Sequence, residues 1–127
     1  MGQFKSKLEV ELVDQQAASG RGKWKLVKPL VFQSDIAGQT ITVPAGFITD
    51  FASVPRFPSF IFSVFGDIAA EATTVHDYLY DMTPKILGRK MSDEILREAA
   101  LASGTPHWKA MGLYLGVRIA GWKFFKE

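Results

Sequence analysis

The chain contains no cysteine. Disulfides are excluded, and so are thiolate metal sites and cysteine nucleophiles. Histidine is scarce, with two residues in 127. Charge of one sign is missing as well. Fifteen basic and 13 acidic residues leave a formal charge of +2, and no run of Lys and Arg forms the patch a nucleic-acid ligand requires, so nucleic acid is not an expected partner. Residues 1–11 hold no apolar stretch of the signal-peptide kind. The longest apolar stretch, 111–125, is interrupted by Arg118 and Lys123 and falls short of the ~20 residues of a membrane span. These absences describe a soluble protein made in the cytoplasm.

What is present is core material. Apolar residues make up 47% of the chain, ample for one packed domain over 1–127. In the first fifty residues the period is two: Leu8, Val10 and Leu12 alternate with Glu9 and Glu11. Residues 23–32 alternate too, but Pro29 interrupts them, which predicts an edge strand or two short strands. A turn at 35–39 with Gly38 leads into a strand at 39–43, and 15–22 reads as a loop. The second half is helical. Asp67 is placed to cap a helix running to Met82, Ser92 to cap one over 93–103 that stops at Gly104, and Thr105-Pro106 to open a last one. Strands first and helices after predict an α+β fold, a small antiparallel sheet packed against about three helices.

The chemistry gathers in two segments. The linker 44–56 sets Asp50, Ser53 and Arg56 among Phe47, Ile48, Phe51 and Val54. A polar group in such company needs a partner or costs about 1–3 kcal/mol. Asp50 either closes an Asx-turn on its own loop or is presented to the helix that carries His76. On that helix His76 shares a face with Thr73 and Tyr80, and Asp77 with Asp81. His76 and Asp77 point about 100° apart and do not pair with each other. A carboxylate from elsewhere, Asp50 or Asp93, is the expected partner of the imidazole, as a general base requires. Asp93 also suits a helix start on dipole grounds alone. Arg89 and Arg118 are the candidate ion partners, and His107 is given no role.

The residues 43–56 (VPAGFITDFASVPR), 76–80 (HDYLY), Arg89 with Asp93, and a final helix with Arg118 and Gly121 resemble a domain-of-unknown-function family encoded by tailed phages and prophages. The likeness covers roughly residues 40–123. It implies a virion component, a tail or tail-assembly (baseplate or tail-tip) structural protein. Its partners are then other virion proteins in an oligomeric assembly, and its place is the virion after synthesis in the host cytoplasm. In that reading Ser53, Arg56, Tyr80, Arg89 and Arg118 join the His/Asp group in a structural polar cluster that locks the linker onto the helices. Residues 57–65 and the aromatic last helix offer themselves as core or as docking surface; membrane contact is the less favoured use.

The segment 76–80 is also similar to the His-Asp helix of secreted phospholipases A2. That similarity implies His76 as the base for a water, Asp77 as a calcium ligand, and Asp93 or Asp50 as the carboxylate that orients the imidazole. The sequence departs from that pattern: Leu79 stands in place of its cysteine, the glycine-rich calcium loop has no counterpart, and no disulfide ties the helices. Metal-dependent cleavage of peptidoglycan is a third possibility. One histidine with several carboxylates suits a divalent cation with oxygen ligands, calcium before zinc. Whether the chain is an enzyme stays open at this point. A buried, fully bonded His76 speaks for a scaffold; an exposed one facing Asp50 or Asp93 speaks for a hydrolase.

Overall fold

The computed structural model describes residues 2–14, 23–49, 70–82, 85–120 and 125. Asp50, Ser53, Arg56, Asp67 and the segment 57–65 lie outside the described residues, as do Gly121, Trp122 and Phe124. The architecture is the expected α+β, strands before helices, with one difference. The strands form two three-stranded antiparallel sheets instead of one.

Strand β1 (Gln3–Phe4) pairs with β4 (Leu30–Ser34), which pairs with β5 (Gln39–Val43). Strand β2 (Val10–Asp14) pairs with β3 (Lys23–Leu26), which pairs with β6 (Ile48–Thr49). Pro29 is the reason for the division. It lacks the N–H that a continuous ladder needs, so 23–34 becomes two strands in different sheets. Period-two alternation then points Leu30, Phe32 and Ser34 of β4, and Ile41 and Val43 of β5, into the interior. Phe32 faces Phe4 across the ladder with ring centroids 4.7 Å apart. The β4–β5 turn needs a left-handed residue, and Gly38 supplies it at φ 66°.

Three helices follow among the described residues: α1 (Ala70–Asp81), α2 (Arg89–Ala102) and α3 (His107–Ala120). Val75 and Leu79 of α1, Ile95, Leu96 and Ala99 of α2, and Leu113 and Val117 of α3 meet the inward strand residues in one core. Gly104 ends α2 as expected. At φ 95° it lets Thr105 N–H reach Ala100 O at 2.9 Å while its own N–H reaches Leu101 O at 3.0 Å, the paired bonds of a Schellman stop. The start of α2 differs from expectation. The helix begins at Arg89, with Gly88 at the cap. The Ser92 hydroxyl donates to Gly88 O at 2.9 Å, so it bonds back along the helix instead of capping it. Pro106 likewise sits just ahead of α3, its carbonyl taking Ala110 N–H at 3.0 Å.

One buried tie between sheet and helix was not expected. Glu98 is placed by α2's periodicity on the same side as Ile95 and is buried with it. Its Oε1 accepts the Ser34 hydroxyl at 2.7 Å, and its Oε2 accepts the Asp35 and Ile36 amides at 2.9 and 3.2 Å. The carboxylate thus satisfies the turn that joins β4 to β5. Glu98→Gln keeps one good acceptor and turns an amide N–H₂ against donors. Its expected cost is about 1.5–2 kcal/mol, read as a lower midpoint in chemical denaturation.

Candidate functional site

His76 and Tyr80 sit one turn apart on α1 and face α2. There they meet Asp93. His76 Nε2 lies 2.9 Å from Asp93 Oδ1, and the Tyr80 hydroxyl donates to the same oxygen at 2.5 Å. The other oxygen, Oδ2, faces cations. Arg118 Nη1 from α3 donates to it at 3.0 Å, and Arg89 Nη1 from α2 lies 3.5 Å away. One carboxylate therefore gathers side chains from all three described helices. His76, Tyr80 and Asp93 are each fully buried. The arginines are partly open, with their side chains 24% and 29% exposed.

Each member is placed by ordinary helix geometry. The i,i+4 spacing of 76 and 80 stacks the imidazole near the phenol, with centroids 4.2 Å apart. The i,i+4 spacing of 89 and 93 sets Arg89 against Asp93. Arg89 also donates to Val117 O at 3.2 Å, a carbonyl in the last turn of α3, the end of a helix that favours a cation. Because α2 begins at Arg89, Asp93 lies a full turn inside the helix, and the dipole at a helix start does not account for it. Its position is explained by the four groups it binds.

The carboxylate is an acceptor, so the hydrogen on His76 resides on Nε2. Nδ1 is left over. It is buried and has no hydrogen-bond partner, which is unusual for a polar atom at that depth. An imidazole with one nitrogen fixed by a carboxylate and the other uncommitted is the arrangement of an oriented general base. Asp77 points elsewhere, as the helix geometry requires. It is buried, and its Oδ2 accepts the Thr49 hydroxyl at 3.0 Å, tying α1 to β6.

Burial pushes the Tyr80 phenol above its ordinary value of 10.0, and the bond to the Asp93 carboxylate raises it further, against an opposing pull from Arg89. The folded chain thus holds this proton more tightly than the unfolded chain. Tyr80 contributes stability that is present below pH 10.0 and is lost as pH rises through the folded value. Melting temperature is expected to fall with rising pH in the alkaline range, and Tyr80→Phe to make the fall shallower. An equal slope for both proteins refutes this assignment.

Calcium takes about 6–8 oxygens. Asp77 Oδ2 accepts the Thr49 hydroxyl, and no group of three His, Asp or Glu side chains able to hold a metal occurs among the described residues. Of the predicted site residues, the structure brings His76, Tyr80, Asp93, Arg89 and Arg118 together and places Asp77 on the opposite contact of α1. Asp50, Ser53 and Arg56 are outside the described residues. Sequence reasoning missed Lys85, which donates to Leu79 O and Tyr80 O at the end of α1 and lies 4.2 Å from the centroid of the Phe125 ring. Its signal was plain: a cation shortly after a helix, where carbonyls are left open.

Compared with known proteins, residues 24–117, about three quarters of the chain, match the family model described as "Protein of unknown function (DUF1353)". The chain belongs to that family. No curated protein and no solved structure matches it.

Proposed function

We propose that this member of the DUF1353 family is a phage-encoded hydrolase in which Asp93 holds His76 as the base for an attacking water. The observation that carries the reading is the division of labour on one ring: Nε2 bound to Asp93 at 2.9 Å, Nδ1 buried and unpartnered. A purely structural histidine gains by satisfying both nitrogens, since an unpaired buried one costs about 1–3 kcal/mol. In the reaction Nδ1 takes a proton from water while the oxygen attacks an acyl carbonyl. The same proton then passes to the leaving alcohol. Asp93 stabilises the imidazolium formed between the two steps, and Tyr80, Arg89 and Arg118 hold the carboxylate in place.

The substrate we assign is an acyl ester of a phospholipid. The likeness of 76–80 to the phospholipase A2 helix supports it, because there too an aspartate outside that helix orients the histidine. Metal-dependent peptidoglycan cleavage has less support, as no metal-ligand group is assembled among the described residues. The purified protein, incubated with phospholipid vesicles and separately with cell-wall sacculi, tests this. Release of fatty acid that survives a chelator is the expected result. Release only of wall fragments moves the substrate, and no release from either removes the reading.

A second reading rests on a different observation. His76, Tyr80 and Asp93 are all fully buried, as befits a cluster that pins three helices in a tail or tail-assembly component of the virion; on burial His76 meets the expectation for a scaffold, and on its uncommitted Nδ1 it does not. In that case the protein is found in purified particles, assembled with other virion proteins, and has no activity to lose.

A further inference from the structure

A cavity of about 450 Å³ lies between residues 4–8, the start of α1 as described and the end of α2. Its size falls within the ~300–1,000 Å³ of small-molecule sites. Part of the lining is apolar. Phe4 and Leu8 are half-buried and pack on the core, as does Ala102 at the last position of α2, and all three line the cavity. Ser6 lines it too, but its hydroxyl is already committed. It donates to Pro29 O at 3.3 Å and accepts the Val31 amide at 2.9 Å. Those bonds tie the segment to β4 and hold this wall in place.

Two side chains of opposite sign complete the lining, Lys7 and Glu71. They do not pair with each other. Among the described residues neither takes part in an ion pair or a side-chain hydrogen bond, although Glu71 is half-buried. A cavity that presents both charges uncommitted selects its occupant. A simple anion is drawn to Lys7 and repelled by Glu71, and a simple cation meets the reverse. A neutral apolar molecule takes water from both charges and gives neither a partner. The end of α2 adds to the contrast. Ser103, its C-cap, lines the cavity, and the last carbonyls of a helix carry partial negative charge. Glu71 and that helix end therefore favour an ammonium, and Lys7 favours a carboxylate. Phe4, Leu8 and Ala102 favour an apolar group between them, with the Phe4 ring suited to an aromatic one.

We infer that this cavity binds a small zwitterion, a free α-amino acid with a large apolar side chain. It shares no residue with the His76 cluster, and the inference is independent of the hydrolase reading. Calorimetric titration of the full-length protein tests it, with L-phenylalanine as the probe. Phenethylamine lacks the carboxylate, 3-phenylpropionate lacks the ammonium, and glycine lacks the apolar group. L-Phenylalanine is expected to bind saturably, and each of the other three at least ~10-fold more weakly. Lys7→Gln is expected to weaken L-phenylalanine by ~10-fold and to leave phenethylamine unchanged. Glu71→Gln is expected to weaken it equally and to leave 3-phenylpropionate unchanged. A general loss of structure does not produce this crossed pattern, and thermal melts check that both variants are folded. Absence of saturable L-phenylalanine binding to wild type overturns the proposal. So does phenethylamine or 3-phenylpropionate binding as tightly as L-phenylalanine, which makes the cavity a site for a single charge. Undiminished L-phenylalanine binding to either variant overturns it as well, because the ligand then sits elsewhere.

Discussion

Asp93→Ala is expected to lower stability more than any other single change in the described structure. The substitution removes one carboxylate and strands four groups: His76 Nε2, the Tyr80 hydroxyl, and the guanidinium groups of Arg118 and Arg89. Breaking a buried ion pair from one side typically costs about 3–5 kcal/mol, because the partner keeps its desolvation penalty and loses its compensation. The two arginines are partly open and recover some hydration, which favours the lower end. The phenol and the imidazole are fully buried and recover none. For a domain of this size about 1 kcal/mol moves the melting temperature by roughly 3–6 °C, so the expected fall is about 10–18 °C. Asp93→Asn retains one acceptor oxygen and turns an amide N–H₂ against donors, and about half that loss is expected. Calorimetry on the three proteins measures the series. A drop of less than about 3 °C for the alanine variant removes Asp93 as the pin of the three helices.

His76→Gln separates catalysis from architecture. Glutamine can direct its amide N–H₂ at Asp93, replacing the Nε2 donor, and has nothing equivalent to the free Nδ1. Under the hydrolase reading, ester cleavage falls by about 10²–10⁴, the usual contribution of a general base, while the melting temperature stays within a few degrees of wild type. Alanine at the same position is the poorer probe. The ring is fully buried, so its removal opens a cavity and costs about 2–4 kcal/mol under either reading. If the glutamine variant retains wild-type cleavage, another group is the base. If wild type cleaves nothing and the glutamine variant is excluded from assembled particles, the cluster serves the virion.

The local signals that were legible in the sequence were those with one physical meaning. Pro29 cannot donate to a ladder, and it divides the sheet. Gly104 tolerates a positive φ, and it ends α2. The helix geometry of 76 and 77 forbids their pairing, and the two side chains indeed part, one to Asp93 and the other to Thr49. Ser92 failed because a serine hydroxyl serves equally as a cap or as an internal bond to the carbonyl four residues back, and only the preceding chain decides which. Asp93 was one of two carboxylates offered to His76, and distance along the chain does not choose between partners 17 and 26 residues away. Glu98 was passed over although it stands among Ile95, Ala99 and Ala102 on the buried side of α2; a lone acid on such a side asks for a partner. That partner is the hairpin turn after Ser34, and nothing local to either segment points to the other.

The Glu98 tie also sets an order of events during synthesis. Strands β4 and β5 leave the ribosome adjacent and can pair at once, but their turn keeps its Asp35 and Ile36 amides open until a residue some 60 positions later has emerged. Within the hairpin Ser34 Oγ takes the Ala37 amide at 3.0 Å, and the helix adds the acceptor for the other two amides. A nascent chain halted before residue 98 carries a loosely ended hairpin with an exposed apolar face, the kind of species chaperones hold. Release of that hold falls due when α2 docks and its carboxylate closes the turn.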